Sequence, residues 1–289
     1  MTGQATVRLM VDGRRLHLQH GPIDIVAEAF GKREEIEAAY KQGAVAFSSI
    51  LSTLVEDLSV LKRPVSGQIA PAMNGLSQTL WIAARQFSDD YFVTAMAAVA
   101  GAVADHVKTA MLKGRRLEKL YVNNGGDIAL FLGRGSVFTS GIVNNQDAPS
   151  IDAKITISAQ DGIGGVATSG WRGRSLSPGI ADAVTVLANC AATADVAATV
   201  IAGHVFVKSP AVMQKPAFDV RDDTDLGDMM VTTDVGPLTE VEKKNALAQG
   251  MRVAKNMREA GLIQSAYFAL QGQSCSLLSD EKIQVRKIA

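Results

Sequence analysis

The chain predicts an α+β protein built on a mainly antiparallel sheet with packed helices. Three observations lead there. Short alternating apolar stretches follow one another closely, as hairpins require: Val7, Leu9 and Val11, then the Asp12-Gly13 turn, then Leu16 and Leu18. Strands and helices come in runs instead of strict alternation, the order that favours an antiparallel sheet. Hydrophobic residues make up 47% and charged residues 20% of the 289, a globular composition. No linker or composition break divides the chain, so residues 1–289 read as one domain.

The elements are expected in this order. After the first hairpin, Gly21-Pro22 punctuates, and Ile23, Ile25 and Ala27 suggest a third short strand. From Lys32 a helix takes over, with Ile36, Tyr40, Phe47, Ile50, Leu51, Leu54 and Leu58 approximating one apolar face and Pro64 closing it. Residues 65–90 carry no firm pattern, with Pro71 and Gly75 as breakers. Tyr91 to Leu112 is predicted as one helix, apolar on most sides and therefore buried, ended by Gly114. Strands are predicted at Leu117–Val122, Ile128–Leu132, Ser136–Val143, Lys154–Ser158, Val166–Ser169 and Ala183–Ala188. A helix from Ala192 to about Ala202, an acidic loop from Asp219 to Asp228 and an amphipathic helix from Glu240 to Leu262 follow. Tyr267–Leu277 and Ile283–Ile288 finish the chain as strands.

Composition excludes several functions. Lys plus Arg equals Asp plus Glu at 29 each, whereas nucleic-acid binding needs a basic surface. The cluster Arg115, Arg116 and Lys119 reads as a solvated helix end. The apolar run from Tyr91 to Ala104 is stopped by Asp105, His106 and Lys108, short of the roughly 20 residues a membrane span needs. Cys190 and Cys275 belong to no metal spacing, and Cys190, in an apolar run, is expected to pack as a small hydrophobe. The opening MTGQATVRLMVDGRRL lacks a basic-then-apolar signal pattern, which reads as cytoplasmic. The apolar surface of such a chain suggests a homodimer.

The chemistry concentrates in two stretches. Asn123-Asn124-Gly125-Gly126-Asp127 lies between two strands, and its glycines can bare backbone N–H groups toward a phosphate or ring edge. The same residues also suit an ordinary hairpin turn. The second stretch, Gly162 to Gly203, combines small and hydroxyl residues (Gly164, Gly165, Thr168, Ser169, Gly170), Trp171, Arg172 and Arg174, and then Asp195 and Thr199. It has neither the dinucleotide fingerprint nor the Walker lysine. Asp195 and Thr199, at i and i+4, share one helix face and can reach the same ion. A carboxylate and a hydroxyl completed by water and phosphate suit Mg²⁺, although a helix acid beside a macrodipole has the same look. The acidic loop at Asp219–Asp228 lacks an EF-hand register. The four histidines do not cluster and form no triad pattern.

Taken in order, VTAMAAVAGAVADHV, VNNGGDIAL and VATSGWRGRSLSPGIADAVTVLANCAATADVAATVIAG resemble the ApbE-related family of uncharacterised proteins, over roughly residues 90–205. ApbE proteins are flavin transferases that use FAD and Mg²⁺ to attach FMN to a threonine of a target protein. The resemblance implies an ApbE-like fold with T-fold-like subdomains. It sets Asn124, Gly125, Gly126 and Asp127 beside the flavin nucleotide, with Thr168, Ser169, Gly170, Trp171 and Arg174 as further ligand-binding residues. Asp195 and Thr199 match the acid and threonine of the ADxxAT metal motif. The helix around Val99 to Asp105 matches the one that offers a backbone carbonyl to the metal. The chain departs from the ApbE pattern in two places. Ala100 stands where the family carries lysine, and Arg174 to Gly179 replaces a His-x-x-Asp-Pro-x-Thr-Gly segment. That second loss removes groups that could assist a threonine hydroxyl, while leaving a metal–phosphate site. The resemblance therefore implies an Mg²⁺-dependent site for FAD or another phosphorylated heteroaromatic, of transferase type. The alternative is a non-catalytic binding or assembly accessory linked to tetrahydromethanopterin-dependent one-carbon chemistry, with a pterin-like ligand.

Overall fold

The computed structural model describes residues 4–142, 153–277 and 286–287. In chain order it contains β1 (Thr6–Leu9), β2 (Leu16–His20), β3 (Ile23–Gly31), α1 (Arg33–Phe47), α2 (Ile50–Glu56), α3 (Leu58–Leu61), α4 (Gly75–Arg85) and α5 (Val99–Leu112). Next come β4 (Leu117–Asn124), β5 (Asp127–Leu132), β6 (Val137–Ile142), β7 (Ala153–Ser158), β8 (Gly165–Ser169), β9 (Ala183–Ala188) and α6 (Ala191–His204). The last part holds β10 (Val212–Pro216), α7 (Ala217–Val220), β11 (Met230–Val235), α8 (Glu240–Glu259), β12 (Ser265–Leu270), β13 (Gln273–Leu277) and β14 (Arg286–Lys287). The fold divides into two units. One comprises Met1–Phe138, Ser158–Ala167 and Ala188–Asp195, the other Thr139–Ile157, Thr168–Leu187 and Val196–Ala289.

In the first unit β1, β2, β3, β4 and β5 lie side by side, each antiparallel to its neighbour, and Gly165 and Val166 of β8 pair with β5. This is the mainly antiparallel α+β arrangement the sequence predicts. Period-2 alternation turns Leu18, Ile25, Ala27, Leu120 and Val122 to one side, where all are fully buried. Against the sheet lies α5, packed on β4, β5 and α1. The expected apolar helix is real, but it starts later than Tyr91. Residues 91–94 are not helical: Val65 N–H donates to Val93 O (2.9 Å), Thr94 bridges Pro64, and a 3₁₀ turn at Ala95–Ala98 leads into α5.

The single helix expected from Lys32 to Leu58 is three helices. Its breaks follow from serines and an aspartate, which compete with the helical ladder. The Ser48 hydroxyl donates to Val45 O (2.8 Å) and that of Ser52 to Ser49 O (2.9 Å), and Asp57 separates α2 from α3. Residues 65–90, left without assignment, contain α4. Its start was legible at Asn74, whose side chain accepts from Ser77 N–H (3.1 Å) in an ordinary N-cap.

In the second unit β9, β12 and β13 form an antiparallel sheet, with Ala183 opposite Ala269 and Leu187 opposite Ser265. The continuous strand expected from Tyr267 to Leu277 is a hairpin folded at Gln271-Gly272. Gln271 holds a left-handed φ of 43°. Its N–H donates to the Asp182 carboxylate, and its side chain binds Leu238 N–H (3.0 Å) and Gly236 O (2.8 Å). Those long-range bonds, invisible in a local pattern, pin the turn. A separate β10–β11 hairpin flanks the acidic stretch, which is largely exposed as expected, and β7 pairs with β6 and β14. Of the strand expected at Ile283–Ile288, only 286–287 fall among the described residues; Val143, the last residue of another expected strand, lies outside them. The amphipathic helix is α8, ending at Glu259 and opened by a capping box in which Thr239 and Glu242 satisfy each other's backbone N–H. Among the described residues, no helix is long and apolar enough to cross a membrane.

Two glycines let the first unit close. A Cβ on Gly101 of α5 would stand 2.2 Å from Ala191 O, and one on Gly165 of β8 would stand 2.2 Å from Ala191 N. The start of α6 is therefore in direct backbone contact with both elements. Gly101→Ala should destabilise the protein by about 3 kcal/mol or more, at the severe end of overpacking. Thr239→Ala, a lost cap, should cost about 1 kcal/mol. Urea unfolding of the two variants tests the packing: equal losses would contradict the close approach.

Candidate functional site

The candidate site of the first unit grows from the meeting of two helix N-termini. Every α-helix begins with backbone N–H groups that lack an intrahelical partner. At α5 the carboxylate of Asp195, from α6, accepts from Gly101 N–H (2.9 Å) and also from Ala100 N–H. At α6 the carboxylate of Asp105, from α5, accepts from Ala192 N–H (2.9 Å) and pairs with Lys108 Nζ at 2.6 Å. Each helix thus caps the other. Asp195 serves the N-terminus of α5, because the glycine contact brings that turn within reach.

The Asn124–Asp127 turn joins the same place. Gly125 and Gly126 have φ of 64° and 114°, values that favour glycine, and make a two-residue hairpin link between β4 and β5. Gly126 N–H donates to the Asn123 side chain (2.9 Å), so one of the amides expected to face a ligand is occupied within the turn. The buried Asn124 amide donates to Ala100 O (3.0 Å). Adjacent residues at the start of α5, Ala100 and Gly101, are therefore held by Asn124 on one side and Asp195 on the other. The buried Asp127 lies near enough for its charge to act on Asp195. Sequence spacing could not reveal that Asp127 acts on Asp195 or that Asp105 reaches the Ala192 amide, because distant segments supply each pair. The signal that existed was acids inside otherwise apolar segments.

Burial, then the Asp127 charge, pushes the Asp195 carboxyl well above its ordinary 3.8, with the α5 amides opposing. Thr199 follows one turn later along α6, in the part of the helix that belongs to the second unit, and is half-buried. Cys190, expected as a small hydrophobe, is half-buried and its thiol bonds Thr193 Oγ1 at 3.2 Å. Among the described residues no group of three or more His, Cys, Asp or Glu side chains is arranged to hold a metal.

The other candidates belong to the second unit. Thr168 Oγ1 and Thr185 Oγ1 lie 2.8 Å apart across β8 and β9, and Ser169 is half-buried. Gly170 is buried against Asp182, whose carbonyl oxygen would meet an added Cβ at 2.3 Å. Trp171 carries the Arg172 guanidinium 4.3 Å from its ring centroid, and Arg172 Nε lies 3.7 Å from Asp182. The Trp171 indole Nε1 is buried without a hydrogen-bond partner. Arg174 is exposed and its carbonyl accepts from Arg221 (2.9 Å).

The raised Asp195 value has a thermodynamic sign. The native state keeps its proton at pH values where the unfolded state has lost it, so this residue's contribution to stability declines as pH rises above 3.8. Asp195→Asn keeps an oxygen for the Gly101 N–H and removes the charge. It should melt higher than the wild type at neutral pH, and the gap should close as pH falls toward the ordinary carboxylate range. Melting curves between about pH 4 and 8 check this; a variant less stable at every pH would refute it.

Comparisons place the chain. A family model described as AbpE bacteria matches residues 7–276. A UPF0280 protein of Methanopyrus kandleri is 35% identical over 137 residues, 47% of this chain and 53% of its own. Another, from Methanosarcina acetivorans, is 37% identical over 118 residues, 40% of this chain and 45% of its own. The chain spans about half the length of the curated relatives it matches. Among solved structures, the flavinyl transferase ApbE of Pseudomonas stutzeri in its apo form is 15% identical, with 99% of this chain and 95% of that one covered at a TM-score of 0.46. The ApbE protein of Thermotoga maritima is 13% identical, with 97% of each chain covered and a TM-score of 0.46. With nearly its whole length matched by the family model, the chain belongs to the ApbE-related family described as AbpE bacteria, as its motifs imply.

Proposed function

We propose that this protein binds Mg²⁺ at Asp195 and, through it, a flavin nucleotide such as FAD, in a site of the FAD:protein FMN transferase type. The observation that carries the reading is the convergence of Asn124 and Asp195 on Ala100 and Gly101, with Asp127 alongside. The donor set suits the ion. A carboxylate offers about four lone-pair sites, so the two α5 amides leave Asp195 room for a cation. Magnesium commonly takes one or two carboxylates and keeps several waters. A divalent cation would also relieve the repulsion between Asp127 and Asp195, which otherwise burdens the fold.

The chain's own groups then divide the work. Asp195 would hold the metal, and Asp127 would add charge or a ligand hydrogen bond. Asn124, tied to Ala100 O, keeps the glycine turn at the start of α5, so that Gly125 and Gly126 leave room for the nucleotide. Both helix N-termini already carry a carboxylate, which repels phosphate. A nucleotide phosphate therefore needs the cation as intermediary; when bound, the metal supplies charge neutralisation. In this reading FMN would pass to a target protein. Cytoplasmic placement and homodimeric assembly belong to the same reading, the latter supported by Val7 and Leu9, which are 45% and 52% exposed on β1.

A second reading has its own support. The segment after Trp171 offers no histidine or acid up to Gly179, and Arg172 is engaged by Trp171 and Asp182. A binding or assembly accessory, with a pterin-like ligand, needs no such groups. Thermal unfolding with FAD, FMN, ATP or a reduced pterin, each with and without Mg²⁺, separates the readings. Native-state binding at 100 times Kd stabilises by about 2.7 kcal/mol. A Mg²⁺-dependent shift with FAD that disappears in Asp195→Ala is expected, and Asp127→Asn should weaken it. No shift with any flavin would sink the flavin reading, and a shift with the pterin alone would favour the accessory.

A further inference from the structure

We infer that Asp105 is a positioning residue for the proposed metal site, acting through α6 on Asp195; the inference rests on the reading above. Asp105 sits on α5, two turns into the helix, and is not one of the groups the metal motif supplies. Its Oδ2 accepts from Ala192 N–H (2.9 Å), while its Oδ1 is fixed by Lys108 Nζ (2.6 Å). Both side chains are only 14% exposed, so the ion pair is screened less than a surface one and holds the carboxylate in one rotamer.

The consequence for Asp195 is geometric. Ala192 and Asp195 lie within one turn of α6, so fixing the Ala192 amide fixes the direction in which the Asp195 carboxylate leaves the helix. On the return path Asp195 binds the Gly101 amide, also within about one turn of Asp105. The two hydrogen bonds and the Gly101–Ala191 backbone contact close a loop between the helices. A slide or rotation of either helix breaks all three together. This sets Asp105 apart from an ordinary cap: a cap supplied by the helix's own leading residue would satisfy Ala192 N–H without referring α6 to α5. Here the acceptor comes from the helix whose first turn Asp195 must meet.

Partners that orient metal ligands are typically worth about 10- to 100-fold in metal affinity. The test compares wild type with Asp105→Ala, Asp105→Asn and Lys108→Gln, using Thr239→Ala as a destabilised control from the second unit. Two quantities are read: Mn²⁺ affinity by titration calorimetry, with Mn²⁺ as the probe for Mg²⁺, and hydrogen exchange of the Gly101 amide in metal-free protein. Asp105→Ala should bind Mn²⁺ at least about tenfold more weakly and lose Gly101 protection. Asp105→Asn, which keeps an oxygen acceptor, should restore most of both, and Lys108→Gln should fall between. Thr239→Ala should leave both unchanged while lowering the melting temperature. Wild-type affinity together with wild-type Gly101 exchange in Asp105→Ala would overturn the inference. If the wild type itself binds no Mn²⁺, the proposed metal site fails, and Gly101 exchange alone still decides whether Asp105 positions Asp195. Should Asp105→Ala not fold, Asp105→Asn and Lys108→Gln carry the same comparison.

Discussion

The exchange of caps between α5 and α6 is the constraint on which the rest of the first unit depends. Two helices meet at their N-termini, where backbone N–H groups point outward with no partner in their own ladders. Each uses an acid of the other to satisfy them. Taking carboxylates out of water is costly, so the arrangement needs compensation. Lys108 supplies it at Asp105. At Asp195 the α5 amides offset only part of the cost, since the carboxyl stays well above its ordinary range. An unrelieved carboxylate in a folded core is destabilising, and destabilising groups concentrate where function requires them.

The neighbouring elements are shaped to let that exchange happen. Gly101 and Gly165 remove the side chains that would hold α5 and β8 away from Ala191. Asn124 anchors the β4–β5 turn to Ala100 O, the carbonyl next to the Gly101 amide. The strand pairing from β1 to β5 gives a stiff platform beneath α5. In the second unit, the loop around Trp171 is held by equally specific contacts. Arg172 lies over the indole and faces Asp182, and Asp182 also receives the Gln271 amide. A guanidinium committed to its own unit is a poorer anion ligand.

Function follows from what these contacts leave available. Helix N-termini often bind phosphate, but here both that meet at this site face a carboxylate. The acids favour a cation, and the glycine turn beside them permits close approach by a planar or phosphorylated ligand. A metal-mediated nucleotide site is the proposal built on that arrangement.

The sequence by itself determined much of the local structure and the identity of the acids. Period-2 alternation located β2 and β3, and Ala183–Ala188 matched β9 residue for residue, because those strands have one or two buried faces and a strong apolar signal. Motif order was enough to single out Asn124–Asp127 and Asp195. Only tertiary structure decided what those residues touch. The break after Phe47, the Gln271 turn and the late start of α5 all depend on hydrogen bonds or bridges that a periodic pattern does not carry. Asp105 had no visible role in sequence, since its partner Ala192 lies 87 positions away. Backbone amides look alike in every sequence, and which carboxylate satisfies them is settled only when two helices are brought end to end.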